Sequence, residues 1–453
     1  MFPYLTKHTY NRVARWQKIT KTPSTHPLTP TEITRLTQNI TEQHRLDLLK
    51  LRAKHLDKDE LCALDSTTKT AYGTKLAEVR WGKNKENLPL PQTTEVVVYS
   101  LTSHLPVFYQ SFPGNMPDAK SLETILEVLK HADFRALVYV TDRGYDSLHN
   151  LLEFIARGQA FVMCVKAGQR DVLGVIEGLG EFSGRPEGMV VDGKERIYHH
   201  QCDVGYRVVD SNTGVETTLG LVLNLYFDPI RRGTELLELD IVLCAQRAAL
   251  EEHLKKRSVM GDEAAVRRDF RFYRVVCDPK TRVMVSFVLN EAKVAKAQRV
   301  SGFFAIMTNG VAFGAMETLE LYKLRDEQEK CFSMMKDQMV ADRQRVWSEE
   351  GKTGRLFVLF VSLVLGSYLR FIWKSTKLSE LFSSSLEVLD EMRSIRCIEH
   401  PGWGKIITPF VGGQIDVCRA FGFEIPEGCS SSALPQKPKR KRGRPRKNAN
   451  QGL

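Results

Sequence analysis

The chain lacks any cysteine arrangement that would signal a metal cluster or a disulfide framework. Its nine cysteines are scattered from position 62 to position 429, and none forms CxxC. Several sit in apolar, strand-like runs. This pattern argues for a reducing compartment and against both structural zinc and disulfides. Long hydrophobic runs are also missing. The most apolar stretch, 356–369, is 14 residues long and contains Ser362 and Gly366. A bilayer-spanning helix needs about 20 apolar residues, so a buried helix and no membrane are expected. The first 17 residues are polar and aromatic and do not read as a signal peptide. A soluble cytoplasmic protein is the expectation.

Acidic residues are absent from one end. Residues 437–447, KPKRKRGRPRK, hold eight Lys or Arg and no acid, within a chain whose net charge is +11. The body is therefore mildly basic and the tail strongly so, which points to a partner bearing phosphates. With 453 residues and 42% apolar content the chain can bury a large core, enough for about two to four domains.

Along the chain, residues 1–60 read as polar and helical, with a helix start at Thr29-Pro30-Thr31-Glu32. From 61 the character changes. Three strands follow, at 61–68, 95–99 and 106–112, and the first carries Asp65. Next come a turn at 114–118, a helix over 121–132, a strand over 136–140, a helix over 148–157 and a strand over 160–165. This β-β-β-α-β-α-β order predicts an α/β sheet with helices on its faces. Asp142 stands at the carboxyl end of the 136–140 strand beside Gly144, and open α/β sheets build sites at that edge. Between 170 and 300 the pattern breaks. Strand-like runs at 196–201, 206–210, 218–227, 236–245 and 283–289 suggest a β-rich insertion or separate subdomain. A buried strand resumes at 302–309.

Residues 318–340, TLELYKLRDEQEKCFSMMKDQMV, contain neither Pro nor Gly and predict one helix. On a regular helix Tyr322, Arg325, Glu329 and Lys336 point to about 0°, −60°, −20° and −40°, a single narrow stripe. Leu321, Leu324, Cys331, Phe332, Met335 and Met339 form a neighbouring core-facing arc. Asp326, Glu327 and Lys330 read as surface charges. Three acids thus fall on separate elements: Asp65, Asp142 and Glu329. Three converging carboxylates suit two divalent cations, since Mg²⁺ takes oxygen ligands. Such a pair can promote in-line phosphoryl transfer.

Here the chain resembles the DDE transposases of bacterial insertion sequences, in the family marked by a Tyr-x2-Arg-x3-Glu-x6-Lys signature. That signature is present as Tyr322, Arg325, Glu329 and Lys336. Asp142-Arg143-Gly144-Tyr145 matches the second acid's motif, and Asp65 in LDSTT matches the first. The resemblance covers roughly residues 55–425. It implies an α/β fold with an RNase H-like catalytic core, a mixed sheet flanked by helices, interrupted by a β-rich insertion. The domains would be a short helical region at 1–60, core at 61–169, insertion at 170–300, core and C-terminal helices at 301–426, and a disordered basic tail at 427–453. Asp65, Asp142 and Glu329 would be catalytic and hold Mg²⁺ or Mn²⁺, as two ions. Tyr322, Arg325 and Lys336 would contact DNA. The partners implied are transposon-end and target DNA and a second copy of the chain, in a bacterial cytoplasm and associated with the nucleoid when bound.

Relatives usually carry a sizeable DNA-binding region ahead of the first Asp, whereas 64 residues precede Asp65. Some relatives also use an insertion-domain Trp to hold a flipped base. The tryptophans here are at 16, 81, 347, 373 and 403, none within 170–300. In the tail, Arg442-Gly443-Arg444-Pro445-Arg446 resembles an AT-hook core, whose arginines Arg442, Arg444 and Arg446 would enter an A·T minor groove. The alternatives are an inactive transposase-derived DNA-binding protein and a related metal-dependent nuclease.

Overall fold

The computed structural model describes residues 12–24, 26–72, 75–83, 88–182, 185–209, 216–339, 341–402, 404–427 and 429. The arginines of the tail motif, Arg442, Arg444 and Arg446, lie outside the described residues. Two compact units emerge, one over residues 8–364 and one built mainly from 365 onward.

The larger unit is organised on a nine-stranded mixed sheet. Its strands in chain order are β1 (Glu60–Thr70), β2 (Gln92–Ser100), β3 (Pro106–Pro113), β4 (Leu137–Thr141), β5 (Ala160–Val165), β6 (Val190–Asp192), β7 (Ile197–Val209), β8 (Glu216–Phe227) and β9 (Phe303–Asn309). Their spatial order is β3-β2-β1-β4-β5-β9-β8-β7-β6. The β1–β4 and β4–β5 pairs are parallel, and the other neighbours antiparallel. A run such as Val96-Val97-Val98-Tyr99 forms a strand because both of its faces are covered, so alternation is lost.

The helices used below are α1 (Pro30–Gln38), α2 (Glu42–Ala53), α3 (Asp118–His131), α4 (Leu148–Ala156), α5 (Pro229–Lys255), α6 (Ala315–Lys323), α7 (Asp326–Ser333) and α8 (Glu349–Ser375). The expected start of α1 is a full capping box: Thr29 Oγ1 accepts from Glu32 N at 3.2 Å and Glu32 Oε2 accepts from Thr29 N at 2.7 Å. On one sheet face Cys62, Leu64, Val96, Val98, Tyr139 and Phe161 meet Leu122, Ile125 and Leu126 of α3 and Leu151 and Phe154 of α4. The opposite face carries Asp65, Thr67 and Lys69 of β1, with Val97, Glu95 and Thr93 opposite them on β2. There Gln328 of α7 donates to the Val97 carbonyl at 2.6 Å. Phe360 of α8 sits 4.5 Å from the Tyr109 ring. Gly354 of α8 lets α1 come close, since a Cβ there would lie 1.7 Å from the Thr37 carbonyl oxygen.

Several elements depart from the sequence expectation. Residues 236–245, read as a strand, lie inside the 27-residue α5. Pro229 opens that helix, and the Asp228 carboxylate caps it by accepting from Ile230 N and Arg231 N at 2.8 and 3.1 Å. Pairs four apart, Arg231–Glu235 and Arg247–Glu251, favour helix over strand. The strands expected at 196–201 and 206–210 are one strand, β7. With β8 it continues the main sheet through β9, not a separate sheet. A hairpin of Tyr273–Cys277 and Met284–Leu289 stands beside α5.

The single helix expected over 318–340 is broken. Helix α6 ends at Lys323, α7 starts at Asp326, and Met334–Gln338 is a π-helix. Such widened turns are frequent at functional sites. Because the helix is not continuous, Leu324 is 41% exposed and leaves the expected core arc. Glu327, read as a surface charge, is buried and paired with Lys330 at 3.1 Å.

Helix α8 is, by length and composition, the one described helix able to cross a membrane, because it extends well beyond the apolar run read from sequence. Its Phe360 and Leu363 are buried. In the second unit, Gly412–Phe421 packs with Ser385–Arg393, where Gln414 Nε2 donates to Ser394 Oγ at 2.6 Å. Lys405 pairs with Glu399 on the hairpin of Cys397–His400 and Gly404–Ile407.

Candidate active site

The polar end of β1 sets the site. Six consecutive residues from Asp65 to Thr70 are polar and buried. Burying polar groups is costly unless they are bonded, so this stretch must be met by partners. Asp65 finds them on its own strand and across the sheet. Its Oδ1 accepts from Ser66 N at 2.7 Å, and its Oδ2 pairs with Arg325 Nη1 at 3.2 Å. Arg325 stands at the break between α6 and α7. Its Nη2 reaches Glu329 Oε1 at 3.1 Å, so one guanidinium joins the first and third acids. The expected stripe thus holds for this pair even though the helix is interrupted.

Asp142 follows β4, which runs parallel to β1 with Thr141 beside Leu64. One residue on from that pair stand Asp65, still within β1, and Asp142, just past the end of β4. The Asp142 Oδ1 accepts from Gly144 N at 2.8 Å, which holds the turn. Gly144 has a steric reason. A Cβ there would lie 2.9 Å from Asp142 Oδ1 and 3.3 Å from Asp118 Oδ2.

That second distance reveals a carboxylate the sequence reading passed over as part of a turn. Asp118 opens α3, and its Oδ1 accepts from Ser66 Oγ at 2.6 Å. It therefore touches the residue after Asp65 and the turn after Asp142. Its position in the sequence, on the first turn of a helix where acids are ordinary, gave no signal.

Electrostatics agree with this crowding. Burial opposes the charge on Arg325, but Tyr322, Asp65, Asp142 and Glu329 outweigh it and raise its pKa. Burial, then Asp118 and Asp65, push the Tyr145 phenol well above its usual range. Tyr322 is also raised, first by burial and then by the nearby Cys164. Its ring stacks beneath Arg325, 5.6 Å from the guanidinium carbon. Tyr322 therefore braces Arg325. Lys336, on the π-helix, lies further along β1, where its charge helps depress the pKa of Lys69 after burial itself.

The donor set is all carboxylate, which suits a hard divalent cation in kind. Among the described residues no three of these acids stand close enough together to hold one ion. As folded, Arg325 supplies the positive charge between Asp65 and Glu329. Glu329, 55% exposed, is the most open of the three to an incoming cation.

No curated protein matches the chain. A piggyBac transposase synaptic complex with hairpin DNA is similar at 8% identity and a TM-score of 0.35, covering 74% of this chain and 52% of that one. A Mos1 transposase paired-end complex with the left transposon end is similar at 14% identity and a TM-score of 0.17, covering 33% and 48%. The chain spans about half the length of these solved structures, and likeness at this level carries no argument about detail. A family model described as a transposase DDE domain matches residues 57–365. Asp65, Asp142 and Glu329 all fall within that span, and with more than half of its length matched, the chain belongs to the DDE transposase family.

Proposed function

We propose that the chain cuts DNA at the ends of an insertion sequence and joins those ends to target DNA. The observation that carries this is the meeting of Asp65 and Glu329 on Arg325, with Asp142 just past the end of the adjacent strand, inside the family-matched span. The sheet order, three antiparallel strands and then two parallel ones with helices on both faces, supports an RNase H-like core. The stretch between β5 and β9 would be its insertion.

Asp65, Asp142 and Glu329 would hold Mg²⁺ or Mn²⁺, as two ions. When bound, these ions supply Lewis-acid charge for in-line phosphoryl transfer on DNA. The chain's own residues have separable tasks. Asp118 and Gly144 fix the turn that presents Asp142. Arg325 neutralises Asp65 and Glu329 and, with its planar fork, suits a DNA phosphate once those carboxylates have another partner. Lys336 and the basic tail at Arg442, Arg444 and Arg446 would add contacts to the backbone. Two copies would act together, because two ends must be joined, in the cytoplasm on nucleoid DNA.

The test is cleavage. A plasmid carrying the DNA that borders this coding sequence on both sides is incubated with Mg²⁺ or Mn²⁺ and either the wild type or Glu329→Ala. Cuts at the element ends should appear with the wild type and fall at least about 100-fold in the variant, as for loss of a metal-site carboxylate. Equal DNA binding by both proteins with no cutting by either would hand the reading to a non-catalytic DNA-binding protein.

A further inference from the structure

Beyond the acids, β1 leads to a second feature. Past Thr70 the chain runs beside residues 342–344: Thr70 N donates to the Asp342 carbonyl at 3.2 Å, and Gln344 N donates to the Thr70 carbonyl at 2.8 Å. This pairing brings together two aromatic side chains far apart in sequence. Tyr72 is 68% exposed and Trp347 69% exposed. Large aromatics left this open on a well-packed unit call for an explanation.

Cations surround both rings. Lys75 Nζ lies 5.6 Å from the Trp347 ring centroid, and the Arg343 guanidinium lies 5.1 Å from that of Tyr72. Arg343 also donates to the Tyr72 hydroxyl. These residues and Arg345 line a cleft of about 290 Å³ floored by Ala71, Leu76 and Val346. A second cleft, of about 520 Å³, runs between α1 and the start of α8 and shares Arg345 and Trp347 with the first. Trp347 is thus a wall common to two basic clefts. Both are in the size range of small-ligand sites. Asp342 pairs with two of the three cations, Arg343 at 3.4 Å and Arg345 at 3.6 Å.

We propose that Tyr72 and Trp347, with Lys75, Arg343 and Arg345, bind unpaired nucleotides of the DNA substrate. Bases stack on the two rings and phosphates meet the three cations. Stacking tolerates any base because every base has a π-face, and a cation-lined groove tracks the backbone. Placement favours DNA over a peptide ligand. Thr70 lies five residues beyond Asp65 on one strand, about 17 Å, which is about five stacked nucleotides. The charge of Lys336 is felt at Lys69, along the way. A strand opened at the acids would arrive at these rings. The proposal rests on the DNA-cutting reading above.

The test uses the full chain and three labelled DNAs in an anisotropy titration: a flush duplex, the same duplex with a five-nucleotide single-stranded extension, and one whose extension is abasic. The wild type should bind the natural extension about tenfold more tightly than either of the others, the scale of stacking one or two bases. Tyr72→Ala and Trp347→Ala should lose that preference and keep flush-duplex affinity, while Trp347→Phe keeps both. A 5-iodouracil placed in the extension should photocrosslink to Tyr72 or Trp347. Equal wild-type affinity for all three DNAs would overturn the proposal and leave the DNA reading standing. Absence of binding to any of them would overturn both. A Trp347→Ala variant that changes only the oligomeric state would assign the patch to a protein contact and overturn the proposal.

Discussion

Two charged clusters sit on the same face of β1, four residues apart, and they are finished differently. Around Lys69 the charges are paired, and Lys69, Glu95 and Lys352 are enclosed. Lys69 faces Glu95 at 4.0 Å, with side chains 5% and 2% exposed. Glu95 also accepts from Thr93 Oγ1 at 3.0 Å and Gln344 Nε2 at 3.3 Å. Next to it Lys352 bridges Glu78 at 2.7 Å and Glu349 at 3.0 Å. Lys352 thus ties Glu78, in the connection between β1 and β2, to α8. Around Asp65 the matching stops. Asp65, Asp118, Asp142 and Glu329 share one end of the sheet, and Arg325 serves two of them. Surplus acid on an open edge costs stability through like-charge repulsion. It is useful if a cation arrives, whereas Lys69 and Lys352 already face acids of their own.

This contrast can be broken from its closed side first. Lys69→Met leaves Glu95 buried without its counter-charge and should cost about 3–5 kcal/mol in urea unfolding. Adding Glu95→Leu removes the stranded charge and should recover most of that loss. If the single variant were as stable as wild type, the cluster would not be the structural tie described here.

The open side answers in activity rather than stability. Asp118→Asn keeps the shape but removes the charge that holds Ser66 and neighbours the Asp142 turn. Cleavage should fall about 10- to 100-fold, as for loss of a group that orients a metal-site residue. Its thermal midpoint should stay near wild type. A smaller effect is expected at Gly144. Gly144→Ala places a methyl group 2.9 Å from Asp142 Oδ1, so that carboxylate must shift. Cleavage should drop about tenfold with a stability change within about 0.5 kcal/mol, the range for exposed positions. A fold-stability loss larger than the activity loss would make the turn structural.

What was legible in the sequence follows the same division. Strands β2 to β5 were readable because Val- and aromatic-rich runs are bounded by turn residues such as Gly114, Pro117 and Gly144. Asp65 and Asp142 could be placed because β1 and β4 could. Asp118 was hidden, since its role depends on Ser66, 52 residues away, and not on local pattern. The break at Leu324-Arg325 carries no Pro or Gly. It becomes visible only once Tyr322 is seen against Cys164, and Arg325 against both Asp65 and Glu329. The strand assigned to 236–245 failed because an apolar run does not distinguish strand from helix, and the deciding cap, Asp228-Pro229, lies upstream of it.

The least of the expected effects is a pH dependence that belongs to the closed cluster alone. Burial lowers the Lys69 pKa; Glu95 raises it, and Arg355, Lys352 and Lys336 lower it further, leaving it below the ordinary lysine value. Between that lowered value and about 10.4 the unfolded chain binds a proton that the folded chain has released. More protons on the unfolded state mean that stability rises with pH across this window. The contribution is fully present above the unfolded value and is lost as pH falls through the folded one. Lys69→Met has no proton to release. The stability difference between wild type and Lys69→Met should therefore grow in favour of wild type as pH rises toward 10. Its slope cannot exceed about 1.4 kcal/mol per pH unit, one proton's worth. Parallel stability curves for the two proteins from pH 7 to 10 would show that Lys69 is not the depressed lysine that burial among Lys336, Lys352 and Arg355 requires.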